Sequence, residues 1–383
     1  MQQNKSFVLR EIENVPYLLP YGQMIADHMY GMKMNNTAVY LWSLMEEDIS
    51  MDTLLSLCAK HYEIADTERK EFENDIRSFI GHMLSLGVIT DTANLPSIPS
   101  SAECLLSIAG LSLRIQGPKE AFPPEYAPFE TDALPRIHQT IQICIGIPRI
   151  KRNGTVLLRN EELVVLDAGE DYILLFPSSR HICEIQLKKS ADLAVCHCLP
   201  PFNETFHYEL FHASRLLFLY LAQVNNMVAI HSASLLYQNK AWIFSGHSGM
   251  GKSTHTNLWK EIYNTPIING DLNLLAFENN IPMIHGIPWC GTSGICNTKS
   301  YPLGGIVLLN QAPTDYVEEL TPDQQILLTN QRLISPAWNA EMFDKNLSII
   351  EEIVPNILVC KLHCTKNPTA PEVMKAYIDS RAV

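Results

Sequence analysis

Apolar positions recur with two different periods along this chain, and the change of period separates its parts. Phe7 to Ile12 and Tyr17 to Leu19 are short alternating runs flanking a Pro/Asn break, and Met32 and Met34 alternate about Lys33, so three short strands are predicted first. Helical spacing then takes over. Asn36 is placed as an N-cap for a helix carrying Ala38, Leu41, Trp42 and Met45 on one face. Ser50 caps a second helix with Leu54, Cys58 and Tyr62. A third has Phe72, Ile76, Phe79, Ile80 and Met83 as its stripe and Gly87 as its stop. Strands followed by three short helices predict a winged-helix-type module over residues 1–95.

Pro96 and Pro99 among Ser97, Ser100 and Ser101 mark a linker, taken as 96–102, and a second domain is assigned to 103–383. Its first part is strand-rich: Leu105 to Ile115, Thr140 to Ile145, Thr155 to Leu158, Leu163 to Leu166 and Tyr172 to Phe176. A helix is expected over Thr205 to Asn225. The apolar run Leu210 to Val224 inside it is broken by His212 and Arg215, too short and too polar to span a bilayer.

Composition narrows the function classes. The net charge of −13 argues against nucleic acid as a partner. Residues 1–95 hold 7 Lys/Arg against 14 Asp/Glu, a surplus that suits a basic peptide as readily as it suits a solvated surface. Ten cysteines lack the dense spacing of a secreted disulfide scaffold, and no signal-peptide pattern opens the chain, so a cytoplasmic protein without membrane association is expected.

The densest chemistry lies at Gly246-His-Ser-Gly-Met-Gly-Lys-Ser-Thr254, which matches G-x-x-x-x-G-K-[ST] in full. Ala241 to Ser245 reads as the buried strand before it, and the residues from Thr254 as the helix after it. Glycines there let successive N–H groups point at phosphate oxygens. Lys252 would neutralise β and γ phosphates, and the Ser253 hydroxyl would help hold Mg²⁺. Pro266 to Asp271 is an apolar run ending in one carboxylate, as a second strand beside the loop would deliver. Asp271 could bind Mg²⁺ or accept a proton. His231 opens a strand that hairpins through Gln238 to Lys240 into the loop strand.

Two resemblances follow from these residues. Tyr17-Leu-Leu-Pro20, Asn35 to Trp42 and Leu86-Gly-Val-Ile89 resemble the PqqD-like family, the leader-peptide recognition domains of ribosomal peptide pathways. That resemblance implies a groove between the third strand and third helix, where a precursor peptide adds as an extra strand. His231 fifteen positions before Gly246, the Gly-x-Ser-Gly-x-Gly-Lys-Ser core and the acid-ended strand resemble the HPr kinase/phosphorylase family and the nucleotide-dependent carboxykinases. This second resemblance implies an α/β P-loop domain with a mixed sheet, ATP and Mg²⁺ as cofactors, and homo-oligomers. It implies nucleotide contacts from Gly246, Ser248, Gly249, Gly251, Lys252, Ser253 and Thr254, metal contacts from Ser253 and Asp271, and catalytic roles for Asp271 as base, His231 and Lys252.

The chain departs from that family in three places. The paired acids are Gly270-Asp271 here, Thr254 stands where an acid usually follows the loop Ser, and the Arg-Gly signature of HPr kinases is absent. These departures disfavour HPr as substrate and fit the branch found in lasso-peptide clusters. The expected function is thus a kinase for a Ser or Thr hydroxyl of a leader-bound precursor peptide. A carrier protein or a hydroxylated metabolite as acceptor, and a nucleotide-sensing protein that presents a peptide, are the alternatives. Further candidates are Trp289 in the turn-rich His285 to Gly294, as substrate platform or packed turn, with Lys299 as a phosphate partner. Cys196-His-Cys198 and Cys360 to Cys364 with His363 invite a zinc reading, but neither has the spaced pairs of an established zinc site and both sit in strand-like apolar runs. Arg332, at the end of a helix expected from Thr321, could reach a phosphate, but nothing in the sequence selects it.

Overall fold

A computed structural model describes residues 1–21, 31–90, 102–146, 154–247 and 249–381. The chain is of mixed α/β class and forms two compact units. One comprises Met1–Cys104, Arg114–Pro123 and Thr140–Ala213; the other comprises Leu105–Leu113, Pro124–Gln139 and Ser214–Val383. These units are drawn differently from the modules 1–95 and 103–383. Residues 96–101 of the expected linker lie outside the described residues, and Ala102 already opens a strand, Ala102–Ile108.

In the first unit, strands Phe7–Ile12, Val15–Pro20 and Met32–Lys33 form one antiparallel sheet in chain order. Helices Asn36–Leu44, Met51–His61 and Arg69–Ser85 follow. The first cap is Asn35 rather than Asn36, because the Asn35 Oδ1 accepts the Ala38 N–H at 2.7 Å. Ser50 caps the second helix through the Thr53 N–H. Leu18, Leu41, Trp42, Leu54, Ile80 and Met83 close the core. Beyond residue 139 the unit carries strands in the order Gln139–Ile145, Leu193–Cys198, Ile182–Lys188, Asp171–Leu175, Val164–Asp167, Thr155–Arg159. The run expected as one strand over Leu105 to Ile115 is broken at Ala109 and Gly110, both with positive φ, into Ala102–Ile108 and Leu111–Gly117.

The second unit is built on long strands that serve two sheets. Strand Val228–Tyr237 pairs through residues 228–231 with Leu272–Glu278, and through 232–237 with Lys240–Ser245. Strand Ser300–Gln311 likewise pairs first with Ile281–His285 and then, in parallel, with Lys240–Ser245 and Leu358–Cys364. Alternation along the strands sends side chains to two cores. Ile243, Ile306, Leu308 and Val359 meet Ile349, Ile350 and Ile353 of helix Ala340–Ile353. Trp242, Phe244, Val307 and Leu362 meet Trp259 of helix Lys252–Tyr263 and Met374 and Ile378 of helix Thr369–Arg381.

Candidate functional site

Three sequence-selected segments converge where strand Val228–Tyr237 changes partner. His231 pairs with Leu272 and Ser232 with Ser245, so the fork between the two sheets opens between residues 231 and 232. Asp271 precedes Leu272, and Gly246 follows Ser245. Both segments leave the sheets at the fork, and ligands of open α/β sheets sit at such divergences. Backbone bonds fix the meeting point. Ser232 N–H donates to the Asp271 carbonyl at 2.9 Å, and the Ser245 hydroxyl donates to the His231 carbonyl at 2.7 Å. The acid-bearing strand Ile267–Asn269 pairs with the strand that carries His231. His231 is the fourth residue of its strand and not the first.

The loop leaves the end of Lys240–Ser245 and enters helix Lys252–Tyr263 at its N-terminus. Gly251 takes φ +98°, a left-handed conformation that side-chain-bearing residues resist, and this turns the chain into the helix. Lys252 is buried, and its Nζ donates to the Gly246 carbonyl at 3.2 Å, so it lies folded over the mouth of the loop. Burial lowers its pKa below the usual lysine value; the Asp271 charge opposes that shift and the Arg332 charge adds to it. Ser253 is exposed and Thr254 half-buried in the first helical turn. Ser248 lies outside the described residues.

His231 Nε2 sits 3.1 Å from Asp271 Oδ1. That hydrogen bond is the main cause holding the Asp271 carboxyl below the usual carboxylate range, with help from the His231, Lys252 and Arg215 charges and against partial burial. Asn269, buried behind, accepts the Asp271 N–H at 3.1 Å and the Leu272 N–H at 3.3 Å through Oδ1. The bend that aims Asp271 out of the sheet is therefore a side-chain-stabilised turn.

The residue before Asp271 explains the missing second acid. A Cβ on Gly270 would stand 2.0 Å from Ser293 Oγ and 2.5 Å from Ser293 Cβ. Short helix Gly291–Ser293 has occupied the room a side chain would need. Gly291, at φ +62°, presses on Asp271 as well: a Cβ there would meet the Asp271 Cγ at 2.8 Å. The turn-rich segment therefore flanks the carboxylate, but through Gly291 and Ser293. Trp289, open in the sequence between a platform and a packed turn, is buried against Phe218 with ring centroids 5.2 Å apart and belongs to the core.

A cavity of about 350 Å³ opens at this point, lined by Ser253, Thr256, Asn257, Ile267, Gly270, Asp271, Ser293 and Ile295. Ser253 and Asp271 thus offer a hydroxyl and a carboxylate oxygen to one space. That donor set suits Mg²⁺, which takes one or two protein oxygens and completes its shell with phosphates and water.

Two arginines join the site. Helix Pro322–Asn330 ends before Arg332, and the Arg332 carbonyl accepts the His231 N–H at 3.0 Å. Its Nη1 reaches the loop residue His247, 2.9 Å from Nε2, while its buried Nε has no hydrogen-bond partner among the described residues. Arg215, on helix Glu204–Val224, acts on Asp271 by charge. Neither residue carries a motif, and periodicity alone marks Arg215 only as an interruption of an apolar run. Lys299 is exposed, and nothing ties it to this group. The zinc readings fail on alternation: Cys196 and Cys198 face one way and His197 the other, and His363 bonds Glu318 at 2.6 Å. Among the described residues no group of three or more His, Cys, Asp or Glu is placed to hold a metal.

No family model matches the sequence, and no curated protein matches it. Among solved structures, the Hpr(Ser) kinase/phosphatase from Coxiella burnetii is similar to this chain at 12% identity and a TM-score of 0.25, over 40% of this chain and 95% of that one.

Proposed function

We propose that this chain is an ATP- and Mg²⁺-dependent kinase that phosphorylates a Ser or Thr hydroxyl of a ribosomally made precursor peptide. The observation that carries the reading is the convergence at the fork: a glycine loop with a buried lysine, and a His-paired carboxylate that lines one cavity with Ser253 of the helix the loop enters. Lys252 and Arg332 balance phosphate charge, and the N-terminus of helix Lys252–Tyr263 adds its dipole. Asp271, a carboxylate at neutral pH, accepts the proton of an acceptor hydroxyl, and His231 fixes its orientation. When bound, Mg²⁺ supplies charge neutralisation between the donor phosphates, with Ser253 and Asp271 as its protein ligands.

The peptide half of the proposal rests on the first unit. Met32–Lys33 is the last strand of its sheet among the described residues. A second cavity, about 340 Å³, lies beside it, lined by Lys33, Met34, Asn35, Ala38 and Phe79. Strand and third helix thus border one groove, the arrangement strand addition needs. The test is intact-mass analysis of a short Ser- or Thr-bearing peptide encoded beside this chain, incubated with the chain, ATP and Mg²⁺. A gain of one phosphoryl group is expected. Peptide binding with neither mass gain nor ATP consumption would instead establish the peptide-presenting alternative.

A further inference from the structure

Of the hydroxyls lining the cavity at Asp271, two belong to the helix that follows the glycine loop. Ser253 is assigned to the metal, and the Thr256 Oγ1 is turned back onto the Lys252 and Ser253 carbonyls, at 3.3 and 3.2 Å. The third, Ser293, comes from a different element, the short helix Gly291–Ser293, and is exposed. Its Oγ lies against the backbone of Gly270, the immediate neighbour of Asp271, and a Cβ on Gly270 would stand within 2.0 Å of it. Gly291 of the same turn presses on the Asp271 carboxyl itself. The Ser293 hydroxyl now donates to the Cys290 carbonyl at 2.7 Å and accepts the Ile295 N–H at 3.2 Å. Rotation about its C–O bond is enough to redirect the proton.

We infer that Ser293 is itself a phosphoryl acceptor, so that the chain phosphorylates its own active-site turn in the absence of a peptide. The inference rests on the kinase reading above. In the step, a bond forms between Ser293 Oγ and the γ-phosphorus of ATP. The bond from that phosphorus to the β,γ-bridging oxygen breaks, and ADP leaves with its electron pair. The Ser293 proton passes to the Asp271 carboxylate and from there to solvent. Phosphoserine carries roughly two negative charges at neutral pH, and here they would stand beside Asp271. Once formed, it fills the acceptor space, so self-modification competes with peptide phosphorylation.

The experiment incubates the purified full chain with Mg²⁺ and ATP without peptide, then follows intact mass and maps the phosphate by fragmentation. Nucleotide binding is measured by calorimetry on the same preparation. The expected result is one phosphoryl group on Ser293, with a rate constant independent of protein concentration and no incorporation in Ser293→Ala or Lys252→Ala. Phosphate on another residue, or none while the chain still binds ATP and phosphorylates a peptide, overturns this inference and leaves the kinase reading standing. A rate that climbs with protein concentration overturns the intramolecular route. Absence of nucleotide binding overturns both together.

Discussion

Gly270 and Asp271 show how much a single Cβ decides at this site. Restoring the paired acid as Gly270→Asp forces a side chain into Ser293, and overpacking of this kind costs ~1–3 kcal/mol. Denaturant unfolding should show that loss, and the double change with Ser293→Gly should recover much of it. Asp271→Asn is expected to keep nucleotide binding and to lower turnover by about 10²-fold or more, the usual worth of a positioned base. Because the Asp271 pKa is lowered in the fold, its native contacts stabilise above the unfolded carboxylate value of about 3.9. That contribution is lost as pH falls through the folded value, so acid unfolding curves of wild type and Asp271→Asn should converge at low pH. Lys252 has the opposite sign of pH dependence. Its pKa is lowered by burial, and only its protonated form attracts phosphate, so nucleotide affinity should weaken as pH rises toward the ordinary lysine range. Calorimetry across pH should show this alkaline limb in the wild type and not in Lys252→Ala. At this scale the glycine loop, His231 and Asp271 were legible, because each stands at a spacing with chemical meaning. Arg332, Arg215 and Ser293 were not, since each reaches the site from a separate element.

The site's geometry belongs to elements rather than residues. A strand long enough to leave one sheet and join another creates the fork, and residues 231 and 232 fall on its two sides. Alternation and turn chemistry announced the strands: Gln238 and Asn239, both at positive φ, make the two-residue hairpin turn. Which strand neighbours which is not contained in alternation, and only the fold pairs Ile267–Asn269 with Val228–Tyr237. Turn chemistry likewise left Trp289 open between an exposed platform and a packed turn. An aromatic among turn formers looks exposed until helix Glu204–Val224 supplies Phe218 to cover it. The groove beside Met32–Lys33 yields a prediction at this scale. Phe79→Asp and Ala38→Arg, both lining its cavity, should lower affinity for a precursor peptide measured by fluorescence anisotropy while leaving ATP binding unchanged.

For the whole molecule, charge is the property with reach. At −13 overall, the net charge disfavours polyanions, and the proposed phosphate site relies on Lys252, Arg332 and Arg215 as local positive charge. If residues 1–95 attract a basic leader through their acidic surplus, peptide affinity should fall as salt shortens the screening length from about 10 Å at 0.1 M to about 3 Å at 1 M. Binding titrations at both concentrations check this; a salt-independent affinity would assign recognition to apolar contact alone. No helix among the described residues is long and apolar enough to cross a membrane. The sequence by itself determined what is encoded locally: the Ser50 cap, the hairpin turn, the alternating strands, the glycine loop and the acid after Gly270. Tertiary structure alone decided the fork, the filling of the Gly270 position by Ser293, the arrival of Arg332 beside His231 and the division into units at other points than the linker. Those depend on which distant surfaces bury one another, and no short window of sequence carries that information.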